Sequence, residues 1–132
     1  MAESTRRAPE TASPLAVIDA LYAAISYPPG GEPDWTALRA LFLPGARVVM
    51  PRVPGIEGVC IRSVAEWIAD YRQAVLQSSA RGFREVQLAP QVTVFRDLAH
   101  VLSSYASYSG SGDTPSARGL NSVQMVRSGG DW

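Results

Sequence analysis

The sequence predicts an α+β domain in which a helical N-terminal half precedes a sheet of long antiparallel strands. Up to Val75, apolar residues recur at three- and four-residue intervals, which is the pattern of amphipathic helices. Three strand-like segments follow at residues 83–95, 99–109 and 117–127, separated by short turn-forming stretches. Strands joined by such short turns pair antiparallel. We therefore expect a cone-shaped roll with a pocket, in which three N-terminal helices pack on a curved antiparallel sheet.

The first helix is predicted to begin at Ser13 and Pro14 and to end near Ser26. Ser13 can cap the helix, and Pro14 suits the first turn because a missing N–H costs nothing there. The apolar residues of the segment form one stripe, made of Leu15, Ile18, Leu21, Tyr22 and Ile25. Two prolines and two glycines, starting at Pro28, end the helix.

A second helix is predicted after Asp34, and it stops before Pro44. Its buried face is expected to carry Trp35, Leu38, Leu41 and Phe42. A short strand then spans Arg47 to Met50, and a loop with two prolines and two glycines covers Pro51 to Gly58.

The third helix is predicted to start at Ser63, where Ser63 and Glu66 have the spacing of a capping box. Its apolar residues recur at helical intervals, at Val64, Trp67, Ile68, Tyr71 and Val75. This agreement between the cap and the stripe indicates a regular helix.

The first long strand, Phe83 to Phe95, is predicted to bury one face and to bend at Pro90. The apolar residues of one parity are Val86, Leu88, Val92 and Val94. Asp97 and Leu98 are predicted to turn the chain into the second strand. The segment Gly110 to Ser116 is rich in turn-forming residues and leads into the third strand.

One domain is expected over residues 14–132, behind a polar and disordered tail of residues 1–13. The 12 acidic residues balance the 12 basic ones, and no basic cluster alternates with aromatic residues, so we expect no nucleic-acid partner. No apolar run is long enough for export or for spanning a bilayer, so we expect a cytoplasmic protein without a membrane partner.

Few side chains offer chemistry. His100 is the only histidine and thus a candidate for proton transfer near neutral pH, although a lone histidine at a strand start is more often structural. Cys60 is the only cysteine, so it cannot form an intramolecular disulfide and is expected to be a buried apolar residue. These two residues and scattered carboxylates show no metal-ligand spacing, so we expect no metal and no cofactor.

The order of elements over Pro14 to Trp132 resembles the nuclear transport factor 2-like superfamily, which includes ketosteroid isomerases and SnoaL-like polyketide cyclases. The residues that carry the resemblance are Ala20-Leu21-Tyr22, Arg47 to Met50 followed by Pro51, Ala69 to Gln73, Ala99-His100-Val101, Ser104-Tyr105 and Arg118 to Val126. The tail is similar to that of uncharacterised bacterial members.

The resemblance implies an apolar pocket between helices and sheet, and a homodimer formed through the outer sheet face. Isomerases of the superfamily hold a general-base carboxylate where this sequence has Met50, and an oxyanion-stabilising acid where it has Ser122, with Asn121 and Gln124 beside it. Their helix-one tyrosine matches Tyr22. Family members also continue into one more strand after the position of Trp132, so a central strand is expected to be missing.

Hydrolases of the superfamily use carboxylate–arginine–carboxylate groups to activate water, which singles out Asp70 and Arg72. These two residues are close in sequence but diverge on a helix, so a solvated face is the stronger interpretation.

Three functions stay open from the sequence. The first is an apolar pocket for a small hydrophobic or carbonyl-bearing molecule, lined by Tyr22, Met50, Trp67, Tyr71, Leu120, Ser122 and Gln124. The second is an isomerase, cyclase or dehydratase with His100 or Tyr22 as the proton carrier. The third is a protein-interaction domain with a vestigial pocket. The absence of a carboxylate at Met50 favours the first and the third.

Overall fold

The computed structural model describes residues 9–132 as an α+β arrangement of three helices and five strands. The elements are α1 (Pro14–Ile25), α2 (Trp35–Ala40), β1 (Arg47–Met50), β2 (Cys60–Ser63), α3 (Val64–Ser78), β3 (Phe83–Phe95), β4 (Leu98–Ser109) and β5 (Ala117–Val126). The predicted α+β class and the order of its helices and long strands are confirmed.

Helix α1 begins and ends where its sequence predicts. The Ser13 hydroxyl accepts a hydrogen bond from the Ala16 N–H at 3.1 Å, and Pro14 occupies the first turn. At the other end the Ser26 N–H and hydroxyl both donate to the Tyr22 carbonyl, which satisfies one of the free carbonyls of the last turn. The helix is therefore fixed at both ends before any tertiary contact is counted.

Helix α3 is preceded by a strand that the sequence pattern did not predict. Strand β2 pairs antiparallel with β1, and the hairpin places Met50 opposite Cys60 and Val49 opposite Ile61. The capping box is present, because the Ser63 N–H donates to the Glu66 carboxylate at 2.9 Å and the Glu66 N–H donates to the Ser63 hydroxyl at 3.1 Å.

The long strands form one antiparallel sheet in the order β3-β4-β5. The turn between β3 and β4 consists of Arg96 and Asp97, because Phe95 pairs with Leu98. The turn therefore lies one residue before the predicted position at Asp97 and Leu98. Arg96 has a φ of 53°, the left-handed conformation that tight hairpin turns require.

A bulge in β3 changes which residues face the helices. The register shifts between Gln87 and Ala89, so residues of odd number face inward before the bulge and residues of even number after it. Leu88 is 52% exposed and Val94 is 51% exposed. The predicted buried face of Val86, Leu88, Val92 and Val94 is therefore wrong, because the bulge divides these four residues between two faces and β3 lies at the edge of the sheet.

The core lies between α1, α2, α3 and the inner face of β4 and β5. Its fully buried side chains include Ile18 of α1, Leu38 of α2, Ile68 of α3 and Val101 of β4. This burial of apolar area is the main stabilising term of the fold. Cys60 is buried, as its sequence context predicts.

Part of the predicted disordered tail contacts the C-terminal residues. Pro9–Thr11 form a 3-10 turn, the Thr11 hydroxyl donates to the Asp131 carboxylate at 3.0 Å, and the Trp132 N–H donates to the Thr11 carbonyl. The predicted disordered tail also includes residues 1–8, and these lie outside the described residues. Within residues 9–132, none of the helices has the length and apolar character needed to cross a membrane.

Candidate functional site

A cleft of about 240 Å³ lies between the β1–β2 hairpin and helix α3. We call it the hairpin cleft, and its lining residues are Met50, Val53, Ile56, Cys60, Arg62, Trp67, Asp70 and Tyr71. Three residues predicted from the sequence to line one pocket, Met50, Trp67 and Tyr71, are thus together in this cleft.

Strand alternation and helix periodicity explain why these residues converge. Met50 and Cys60 are paired across the hairpin and both line the cleft, whereas Val49 and its partner Ile61 are more than half exposed. On α3, residues three and four positions apart share a face, which brings Asp70 and Tyr71 beside Trp67. The cleft is therefore built by regular secondary structure.

The charged wall of the hairpin cleft is one arginine between two carboxylates. Arg62 Nε lies 3.1 Å from Asp70 Oδ2, and Arg62 Nη1 lies 3.6 Å from Glu66 Oε2. The buried Nε–H makes no hydrogen bond to any described residue, so its contact with Asp70 is ionic only. The structure thus contains a carboxylate–arginine–carboxylate group, but its arginine is Arg62 and not Arg72. Arg72 lies over the Trp35 ring instead.

Hydrogen bonds from the Ser63 backbone and side chain lower the pKa of Glu66; desolvation opposes them, and the nearby Arg62 and Arg47 charges add to the lowering. Glu66 therefore stays ionised at neutral pH. Because the Arg62 charge faces this carboxylate and Asp70, the cleft has no net positive charge to attract an anion.

Tyr71 forms a wall of the cleft and does not present its hydroxyl there for free use. The Tyr71 hydroxyl donates to the Ile25 carbonyl at 2.6 Å, and its ring stacks on Trp67 with 6.3 Å between centroids. Burial raises the pKa of Tyr71 far above the ordinary value, and Tyr27 and Glu85 add to the rise. Tyr71 is therefore a neutral, fixed aromatic surface.

A directed chain of hydrogen bonds fills the space between α1 and the sheet near Tyr22. Asn121 Nδ2 donates to the Tyr22 hydroxyl at 3.2 Å, and the Tyr22 and Ser103 hydroxyls are 2.8 Å apart. Because Ser103 donates its proton to Gln87 Oε1 at 2.7 Å, the Tyr22 hydroxyl donates to Ser103. Tyr22 therefore holds three strands to α1, and sequence reasoning did not identify Ser103 or Gln87 as its partners.

Four residues predicted to carry the site lie on the other face of the sheet. In β4 the inward residues include Val101 and Ser103, both fully buried, which places His100 outside. His100 pairs with Gln124 and hydrogen-bonds Ser122 through Nε2 at 2.8 Å.

The predicted pocket positions of Leu120, Ser122 and Gln124 are therefore wrong, because these residues lie on the opposite strand parity, and His100 lies on the same outer face. In β5 it is Asn121, Val123 and Met125 that face α1.

Glu85 is the most unusual carboxylate on the inner face. It lies on β3 opposite the buried Ser107, and its backbone N–H donates to the Ser26 hydroxyl at 3.1 Å, next to the C-terminal end of α1. None of the ion pairs among residues 9–132 involves this carboxylate, so no cation offsets the cost of burying its charged form.

Burial raises the pKa of Glu85 from 4.5 to about 7. Burial also raises the pKa of Tyr105, with Glu85 and Tyr22 adding to the rise. A carboxyl group that is close to half ionised at neutral pH can both accept and donate a proton. The sequence analysis did not identify Glu85 as a candidate site residue, because a glutamate in this segment is typical of a polar position in an ordinary strand.

Within residues 9–132, no three His, Cys, Asp or Glu side chains are grouped closely enough to hold a metal ion. Comparisons of the chain with protein-family models, with curated proteins and with solved structures found no match. The arrangement of the site itself is therefore the basis for any proposed function.

Proposed function

We propose that this protein binds a small hydrophobic or carbonyl-bearing molecule in the hairpin cleft. The observation that carries the proposal is the convergence of Met50, Trp67 and Tyr71, from two elements, on one concave and largely apolar surface. Arg62 and Asp70 add polar groups at one wall, which can orient a ligand by hydrogen bonds.

The size and the charge of the cleft limit the ligand. A volume of about 240 Å³ is below the roughly 300–1,000 Å³ of clefts for drug-sized ligands. The two carboxylates around Arg62 disfavour an anion. A small neutral molecule, with an apolar body and one polar atom such as a carbonyl oxygen, fits both limits.

The test is an NMR titration of the labelled protein with cyclohexenone, a small neutral ketone. We expect saturable shifts at Met50 and at the Trp67 indole. A Met50→Trp variant fills the cleft and should abolish the shifts, whereas Val49→Trp adds the same side chain on the exposed face of β1 and should leave them unchanged. Equal effects of the two variants, or shifts that do not saturate, would refute binding in the cleft.

Glu85, which is not part of the lining of the hairpin cleft, supports a second function at a separate place on the inner face of the sheet, proton transfer to and from carbon next to a carbonyl group. The Glu85 carboxylate would take the proton, the C–H electron pair would move to form an enolate, and the same carboxyl would return the proton. This assignment replaces His100, which lies on the outer face, and Tyr22, whose hydroxyl is engaged with Ser103 and Asn121.

Deuterium incorporation into cyclohexenone in heavy water measures that activity directly. We expect Glu85→Gln to abolish incorporation by the protein and His100→Gln to leave it unchanged, because His100 lies on the opposite face of the sheet. Incorporation by the wild type no faster than in buffer, or equal loss in both variants, would exclude Glu85 as the proton carrier.

The fold is proposed to be of the nuclear transport factor 2-like, SnoaL-like kind, in which helices pack in a cone-shaped roll. The proposal includes a homodimer through the outer sheet face, supported by Leu98 and Leu120, which are 57% and 62% exposed there. Sedimentation should show dimers that Leu120→Lys dissociates and that Leu76→Lys, at an exposed position of α3, does not. A monomeric wild type would exclude the dimer. A cytoplasmic location stays a prediction from the sequence.

A further inference from the structure

A second concave surface lies between α2 and α3, outside the hairpin cleft. It is an open pocket of about 330 Å³ lined by Trp35, Thr36, Arg39, Ala40 and Arg72. We call it the two-arginine pocket. Its lining differs from that of the hairpin cleft because it contains two guanidinium groups, one hydroxyl and no carboxylate.

Helix geometry brings the two arginines together. Arg39 follows Trp35 by four residues, so both lie on one face of α2, and Thr36 and Ala40 lie beside them by the same spacing. Arg72 reaches over from α3, with its guanidinium carbon 4.9 Å from the centre of the Trp35 ring.

The floor of the two-arginine pocket is held in place. The Trp35 ring packs edge to face against Tyr71 at 5.6 Å, and Tyr71 is itself fixed by its hydrogen bond to Ile25. Stacking over the indole restrains Arg72 while leaving its N–H groups free to donate. The cost of ordering this side chain for a ligand is therefore partly met before binding.

The charge of the two arginines is not balanced inside the pocket. The ion pairs among residues 9–132 are those of Arg62 and Arg127, so neither Arg39 nor Arg72 is neutralised by a carboxylate there. The acidic residue at the start of α2, Asp34, accepts a hydrogen bond from the Ala37 N–H and is not part of the lining. Two like charges that line one concave surface make it electropositive, and this favours an anion between them.

We propose that the two-arginine pocket binds a small organic oxyanion, a carboxylate or a phosphate ester, between Arg39 and Arg72. Guanidinium groups bind both kinds of oxyanion with paired, charge-assisted hydrogen bonds, and Thr36 adds a hydroxyl donor. The indole of Trp35 gives an apolar floor for the organic part. This site does not depend on the hairpin cleft, which disfavours anions.

Two titrations of the isotope-labelled protein test the site, one with sodium phosphate and one with sodium benzoate, each at constant ionic strength set with sodium chloride. The Trp35 indole N–H signal, identified by its loss in Trp35→Phe, reports binding. We expect saturable shifts with millimolar affinity for at least one anion. Arg39→Gln and Arg72→Gln should each weaken that affinity by about tenfold, as expected for loss of a charge-assisted hydrogen bond.

Arg84→Gln is the matched control. Arg84 also stacks on an aromatic ring, with its guanidinium 4.2 Å from the centre of Tyr108, but it lies outside the two-arginine pocket. Its loss removes the same charge, so it should leave the affinity unchanged. Saturation by phosphate alone identifies a phosphate ligand, and saturation by benzoate alone identifies a carboxylate. Shifts that fail to saturate with either anion, or an equal loss in Arg84→Gln, would overturn the proposal.

Discussion

The Glu85→Gln substitution should make this protein more stable at neutral and alkaline pH, although it removes a charge from a chain whose formal charges balance. Glu85 is partly buried beside the C-terminal end of α1 and has no paired cation among residues 9–132. Glutamine has nearly the same shape, but it cannot ionise. The substitution thus removes only the cost of keeping a carboxylate in this place.

The sign of the effect follows from the direction of the pKa change. Burial raises the pKa of Glu85 in the folded protein from 4.5 to about 7. The folded state therefore binds more protons than the unfolded state between these values, and stability falls as pH rises through them. A pKa change of one unit corresponds to about 1.36 kcal/mol. The rise from 4.5 to about 7 therefore limits the destabilisation by the Glu85 carboxylate to about 3 kcal/mol. Since Glu85 retains some contact with water, we expect roughly half of that.

Urea unfolding followed by tryptophan fluorescence, from below pH 4.5 to about pH 8, measures the difference. Below pH 4.5 the wild type and Glu85→Gln should be equally stable, and above pH 7 the variant should be more stable by about 1.5 kcal/mol. Glu32→Gln, at an exposed position of the loop before α2, should show no such divergence. If the curves of wild type and Glu85→Gln remain parallel over the whole range, the carboxylate is not desolvated in the folded protein and the reasoning fails.

Three further substitutions test the packing by urea unfolding. Tyr22→Phe leaves Ser103 and Asn121 without their shared partner and should destabilise by about 1–3 kcal/mol, whereas Tyr108→Phe on the outer face should stay within roughly 0.5 kcal/mol. Gly119→Ala places a methyl group against the Tyr105 ring and should cost about 1–3 kcal/mol; Gly112→Ala, which meets open space, should not. Ser63→Ala removes the cap of α3 and should cost about 1 kcal/mol. Wild-type stability in any of the three destabilising variants would contradict the corresponding contact.

Local signals in the sequence predicted the helices well because the residues that end them act within a few positions. Ser13 caps α1 through Ala16, and Ser63 exchanges hydrogen bonds with Glu66, each over three residues. The short strand β2 escaped prediction because it lies directly before that capping box, in a segment with no alternation to read. Strand β2 forms because it pairs with β1, and this pairing is a tertiary contact that the local sequence of β2 does not show.

The faces of the long strands could not be predicted from alternation alone. One bulge between Gln87 and Ala89 reverses the inward parity of β3, and although Pro90 predicted a bend nearby, it did not reveal that the register would shift. The same ambiguity applied to β5, where the pattern allowed either Ser122 or Asn121 to face α1. The contact that decides it joins Asn121 to Tyr22 across 99 residues, so no local pattern could reveal it.

This reversal of parity also decides which chemistry the inner face can perform. With His100 outside, the inner face retains hydroxyls and amides that already bind one another around Tyr22, and such a closed chain of bonds has no proton to exchange without breaking. Glu85 differs because its carboxyl lies outside that chain and burial brings its pKa to about 7. Among the inner-face carboxyls and amides, Glu85 is therefore the group placed to exchange a proton, and the Glu85→Gln variant separates a catalytic role, read by deuterium incorporation, from a purely destabilising one, read by urea unfolding.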